Sequence, residues 1–227
     1  VYVFGSDLLL STGASQWLMW VAAFTIVAAS CVAIAKDNLK ARLAYSTISQ
    51  LSYIVLGAAL ATTAGVLGGS MHIAMHAFGK ITLFFCAGAI YVAAHKTEIS
   101  TMRGIGRVMP VTTFAFMIGA LSVIGLPPFG GAWSKWLLAL GAAEAEEVVF
   151  IAVLMISSLL NIAYLMPIPI RGFLFRPEGQ DDGPVRIKEA PLFCVVPICF
   201  TAFGCLVLFF YADSIYRMLV PLSGGAP

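Results

Sequence analysis

The sequence predicts an all-α integral membrane protein of about six transmembrane helices, one of them broken at a Gly/Pro-rich segment. Of its 227 residues, 60% are hydrophobic and 11% charged, with a mean hydropathy of +0.96, which excludes an ordinary soluble domain. The apolar residues gather into runs of about 20, the length at which a helix crosses a hydrocarbon core. None alternates as the strands of a membrane barrel do. The basic residues fall overwhelmingly on one side when six spans are counted, as the positive-inside rule requires.

Residues 1–16 read as an outer-side loop. The chain opens on Val1 rather than Met, in mid-loop and with no signal peptide, and is expected to be a piece of a longer polypeptide or a processed one. Run 17–35 carries Trp17 and Trp20 near its outer end, as an aromatic belt would. The segment from Lys36 to Arg42 reads as an interfacial basic anchor, with Lys40 and Arg42 also placed to line an inner entrance. Run 44–65 carries a polar stripe of Ser46, Ser49, Gln50 and Tyr53, suited both to interhelical hydrogen bonds and to wetting a channel.

Run 71–94 holds the strongest hint of function. His72, His76 and Lys80 stand four apart. At about 100° per residue three such positions share one helix face. A lysine at mid-span costs roughly 2.5–3.5 kcal/mol, which a membrane protein rarely retains without a use. Two imidazoles stacked above a lysine make a string of proton-exchanging groups about 6 Å apart per step.

Residues 109–126 and 132–143 count either as two short spans or as the halves of one broken helix over about 109–145. The basic residues decide. With one broken helix, Lys36, Lys40, Arg42, Lys96, Arg103, Arg107, Arg171, Arg176, Arg186 and Lys188 share a side, while Lys80 and Lys135 lie within the membrane and Arg217 falls opposite. The break, Gly125-Leu126-Pro127-Pro128-Phe129-Gly130-Gly131, removes backbone hydrogen bonds and frees carbonyls. Irregular backbone at membrane depth marks ion paths in transporters. Ser134 and a second intramembrane lysine, Lys135, follow at once, which favours a polar path over a packing kink. Run 148–170 completes a transmembrane unit over 17–171, 172–191 is a cytoplasmic connector, and 192–227 is a final span and tail.

All eleven acidic residues lie in loops or at span ends. A sodium site wants carboxylate oxygens, so what passes here is expected to be H⁺, with Na⁺ or K⁺ handled by partners. The five cysteines stand singly inside apolar runs and read as packing residues. No catalytic constellation, metal spacing, cofactor motif, nucleotide fingerprint or nucleic-acid surface is present.

Three stretches together resemble the antiporter-like membrane subunits shared by respiratory complex I and the Mrp-type multisubunit cation/proton antiporters. They are Asp37 through Gln50, His72-x3-His76-x3-Lys80, and Gly125-Leu126-Pro127-Pro128 through Ser134-Lys135, with Asn38 a small departure from the Asp-Leu-Lys pattern. The resemblance implies a 14-helix subunit of two inverted five-helix repeats, each with a broken helix. This chain looks like the second repeat plus the final helix, so a neighbouring chain is expected to supply the first. The resemblance makes Lys80 a central proton relay and puts Lys135 on the outward path. It makes His72 and His76 bridging histidines and sets Lys40 near the cytoplasmic inlet. The run from Ser157 to Tyr164 and the motif Trp133-Ser134-Lys135-Trp136 look closer to Mrp-type D subunits.

Three readings stand at this point. The chain is a proton-translocating subunit of a multisubunit cation/proton antiporter, relaying H⁺ along a Lys/His/water chain. Alternatively it is the corresponding proton-pumping subunit of an NADH-quinone oxidoreductase, whose redox cofactors sit in other subunits. The third reading is a transport-inactive scaffold. All three expect other membrane subunits as partners, in the inner (plasma) membrane of a bacterium or an equivalent energy-coupling membrane.

Overall fold

The computed structural model describes residues 11–177 and 186–223; most of the expected outer loop, and Glu178, Asp181 and Asp182 of the connector, lie outside them. Every named element among the described residues is helical: α1 Ala14–Ala35, α2 Leu39–Ala59, α3 Thr63–Ala94, α4 Ile105–Val108, α5 Pro110–Ile124, α6 Gly131–Glu144, α7 Val148–Leu165, α8 Pro167–Leu174, α9 Leu192–Phe210 and α10 Ala212–Leu219, with 3-10 turns at Ile99–Thr101 and Val220–Ser223. By length and composition α1, α3, α7 with α8, and α9 are each able to cross a membrane.

Lipid offers no hydrophobic force between helices, so close packing and internal hydrogen bonds must hold the bundle together. α1 turns Ala22, Ala23, Ala29, Ser30 and Ala33 inward and leaves Trp17, Val21 and Phe24 exposed. Glycines do the same for α2, α3 and α6. A Cβ on Gly57 would lie 2.6 Å from the Gly65 carbonyl oxygen, one on Gly68 2.7 Å from the Leu138 nitrogen, and one on Gly141 2.4 Å from the Gly65 nitrogen. Only bare backbone fits there.

Hydrogen bonds between loops identify the two ends of the bundle. At one end the Leu39 N–H donates to the Thr97 carbonyl, Ile99 to Asp37, Gly104 to Arg171 and Lys188 to Val108, at 2.9, 2.9, 3.3 and 2.9 Å. The Glu189 carboxylate there accepts from Val111 N at 2.6 Å and Thr112 Oγ1 at 2.7 Å, an acid against a helix N-terminus. At the other end Thr62 donates to the Gly141 carbonyl at 3.1 Å and Gln16 to Glu147 at 3.2 Å. The inner-end bonds join the loops that carry the basic residues. α5 starts at that end and α6 finishes at the opposite one, so together they make a single crossing and the described residues make six.

Some boundaries differ from those expected. α2 starts at Leu39 rather than residue 44 because Asn38 caps it, accepting from Ala41 N at 3.1 Å. The supposed anchor is therefore its first turn. α3 starts at Thr63 rather than 71, capped by Thr62, since the glycines at 65–69 form a contact surface and not a connector. The 148–170 run is divided at Met166, with Pro167 at the start of α8. The tail beyond Tyr211 begins with α10, whose Ala212, Ile215 and Leu219 pack with Met71 and Met75 while Asp213 and Arg217 pair at 2.9 Å on its exposed face.

This topology makes a first prediction. In a cysteine-free background, single cysteines at Arg103 and Arg186 should react with a membrane-impermeant thiol reagent only from the cytoplasmic side. A cysteine at Glu146 should react only from outside. Labelling of 103 and 186 from opposite faces would restore seven spans.

Candidate functional site

The polar side chains of α2 are buried between the lysine of α3 and the lysine of α6. Lys80 is 5% exposed. Its ammonium donates to the Ser46 hydroxyl and, at 3.4 Å, to the Leu43 carbonyl. Ser46 Oγ lies 2.7 Å from the Tyr164 hydroxyl, which also donates to Asn161 Oδ1. A phenol has one proton. With that proton on Asn161, the Ser46 hydroxyl fills the contact with Tyr164, giving an unbroken donor-to-acceptor line from Lys80 through Ser46 and Tyr164 to Asn161. Towards the inner end, the half-buried Arg42 donates to the Tyr164 backbone carbonyl at 3.1 Å.

Lys135 is seated by the helix break. Gly125 ends α5 in the left-handed region at φ 89°, and no helix continues to bond the Ile124 carbonyl. The Lys135 ammonium donates to it at 2.9 Å and to the Ser158 hydroxyl at 3.1 Å, a cation against a helix C-terminus. The two halves touch closely, since a Cβ on Gly131 would lie 1.9 Å from the Ser122 carbonyl oxygen. The Gly130 N–H donates to the Cys205 carbonyl at 3.0 Å, which ties the break to α9. Pro127 and Pro128 occupy the joint between them.

An aromatic stack joins this lysine to the histidines. Lys135 Nζ is 5.1 Å from the Tyr53 ring centroid, a cation–π distance. Tyr53 stacks on His72 at 5.4 Å and His72 on His76 at 5.6 Å. His72 Nδ1 is 2.9 Å from Ser134 Oγ. Ser49 bonds Ser30 at 2.9 Å. His72 Nε2, His76 Nδ1 and both amide atoms of Gln50 are buried and meet no protein donor or acceptor. Beside Lys135 and Ser158 a cavity of about 530 Å³ opens between the broken helix and α7, its walls including Leu126, Trp136, Met155 and Ile162.

The structure thus gathers Lys80, His72, His76, Ser46, Ser49, Gln50, Tyr53 and Ser134 into one buried polar array, with the half-buried Lys135 at its edge. Lys40 stands apart, exposed on the bundle surface with its ammonium 5.2 Å from the Tyr91 ring centroid. Sequence reasoning missed the contribution of α7. Ser157, Ser158, Asn161 and Tyr164 recur at helical spacing, the signal that could have revealed it. Among the described residues no carboxylate pairs with either intramembrane lysine, and no three His, Cys, Asp or Glu side chains converge as metal ligands.

Residues 2–161 match the family of NADH:quinone oxidoreductase/Mrp antiporter transmembrane domains. The chain is 39% identical over 214 residues to NADH-quinone oxidoreductase subunit N of Desulforudis audaxviator, covering 90% of this chain and 43% of that one. It is 36% identical over 121 residues to NAD(P)H-quinone oxidoreductase chain 5 of Synechocystis, or 49% of this chain and 17% of that one. The fold is similar to a chain of respiratory complex I from Thermus thermophilus, with a TM-score of 0.79 at 24% identity over 93% of this chain and 44% of that one. It is also similar to a chain of the membrane-bound sulfane sulfur reductase, an archaeal respiratory membrane complex, with a TM-score of 0.83 at 24% identity over 94% and 42%. The chain spans less than half the length of these proteins.

Proposed function

The chain belongs to the NADH:quinone oxidoreductase/Mrp antiporter transmembrane family, and on that premise we propose that it relays protons as the second antiporter-like repeat, plus final helix, of a membrane subunit in a multisubunit complex. The observation that carries the proposal is the pair of intramembrane lysines, Lys80 and Lys135, each held by neutral oxygens. A lysine kept at that cost without a carboxylate is suited to taking up and giving away a proton.

In this reading a neutral Lys80 takes a proton from Ser46 as Ser46 takes one from Tyr164 and Tyr164 takes one from water on the inner side, so each hydroxyl gains one proton as it loses one. Ordered water bonded to Gln50, His72 and His76 links this segment to the Lys135 segment, because buried polar atoms without protein partners are ordinarily satisfied by water. Lys135 exchanges with the cavity beside it. Lys40, exposed on the bundle surface against Tyr91, lies outside the relay in this reading.

The family spans both branches considered from the sequence. The Mrp-type D signature favoured an antiporter exchanging Na⁺ or K⁺ through partners. The relatives' names support a quinone-linked respiratory complex at least as well, and in either case the first repeat and any redox centre come from outside these residues. A bacterial plasma membrane suits both.

The experiment is proton translocation by the assembled complex in sealed vesicles. Tyr164→Phe and Ser46→Ala each delete one hydroxyl of the relay and should each lower flux about tenfold, the rate equivalent of losing roughly one hydrogen bond. The double variant should lose little more, since both interrupt the same line. Normal flux in both single variants would remove this segment from the path.

A further inference from the structure

At the inner end of the bundle, away from the relay, Ser100, Arg103, Arg171 and Phe175 surround a hollow of about 400 Å³. The Gly104 N–H donates to the Arg171 carbonyl at 3.3 Å, so the backbones carrying the two arginines are joined. The Arg103 guanidinium lies 4.6 Å from the Phe175 ring centroid.

The neighbouring cations are already engaged. Arg107 donates to the Phe173 and Leu174 carbonyls at 3.0 and 3.3 Å, and Lys96 to the Thr101 carbonyl. Asp37, the carboxylate bonded to Ser100, accepts its backbone N–H at 3.0 Å and its hydroxyl at 2.6 Å. The donors left facing the hollow are the guanidinium N–H groups of Arg103 and Arg171, which meet no carboxylate among the described residues. Two such groups on adjoining backbones match the oxygens of a phosphate.

The apolar surroundings distinguish a lipid from a soluble anion. Leu174 is 70% exposed, and Ile170 and Phe175 are also exposed, on the element that leads from the hollow back into the membrane. We infer that the hollow between Arg103 and Arg171 binds the phosphate of an anionic phospholipid, whose acyl chains run over Phe175, Leu174 and Ile170. Headgroup charge and chain contact are then read by one short segment at the inner leaflet, where anionic lipids attract basic residues.

The test is lipid retention by the complex, purified in detergent containing equal amounts of phosphatidylglycerol and phosphatidylcholine and weighed by native mass spectrometry. The wild type should retain phosphatidylglycerol preferentially. Arg103→Gln with Arg171→Gln should weaken that retention about 30-fold, from roughly 1 kcal/mol per basic residue. The control Lys36→Gln with Lys188→Gln removes the same charge from the same face and should leave retention near normal. Equal losses in both double variants would reduce the effect to general surface charge and overturn the site. So would equal retention of the two lipids by the wild type. If millimolar inorganic phosphate displaces the lipid completely, the hollow is a soluble-anion site and the lipid assignment fails.

Discussion

Replacing Lys80 with alanine is expected to lower proton translocation by the assembled complex a hundredfold or more, the scale of losing a positioned acid–base group (about 10²–10⁴). Its level in the membrane should stay near that of the wild type. The ammonium is buried among the Ser46 hydroxyl and the Leu43 carbonyl, so deleting it strands no carboxylate, and Ser46 keeps its contact with Tyr164. Removing an unpaired charge from low dielectric offsets the packing lost with the stem. Lys80→Met, which keeps most of the stem, should be equally inactive. Lys80→Arg should remain defective, because a guanidinium stays protonated and cannot pass its proton on. Flux close to normal in Lys80→Ala would leave the scaffold reading standing.

Lys135→Met should separate the two ends of the path. Net translocation should again fall about a hundredfold or more, yet a pH jump on the inner side should still drive proton uptake at Lys80, because Ser46, Tyr164 and Asn161 are untouched. Stability should drop by only about 1 kcal/mol, for the Ile124 carbonyl left without its donor. These readouts distinguish a relay from a cap. If Lys135 only closes the C-terminus of α5, the variant loses the stability and keeps the flux. Loss of uptake together with translocation would place Lys135 on the route into Lys80 and overturn its role as the outlet.

The His72, His76 and Lys80 face was legible because its period of four lies within one helix and needs no partner to be seen. The break was legible because proline and glycine act on their own backbone. The six crossings followed from charge, a property of position along the chain. Contacts between distant helices were not legible in this way. Tyr164 reaches Ser46 only through the packing of α7 near α2, and in sequence it stands in a mostly apolar run whose few polar members, Ser157, Ser158 and Asn161, name no partner. Lys40 and Arg42 were indistinguishable until the Asn38 cap set the phase of α2, turning Lys40 out to Tyr91 and Arg42 in to the Tyr164 carbonyl. The glycines at 65–69 looked like a connector because nothing in the sequence names the backbones they admit.

The placement of α2 between the lysines has an electrical consequence. Ser46 marks the depth of Lys80 and Tyr53 the depth of Lys135. Seven residues at about 1.5 Å each separate them by roughly 10 Å along the helix, a third of a hydrocarbon core of about 30 Å. A unit charge crossing the whole core does work of about 2.3 kcal/mol per 100 mV. A proton moving between these two lysines therefore exchanges about 0.8 kcal/mol with every 100 mV of membrane potential. On the proposed reading the relay spans a fixed fraction of the membrane voltage, and the field itself would shift which lysine holds the charge by a factor of about three to four per 100 mV.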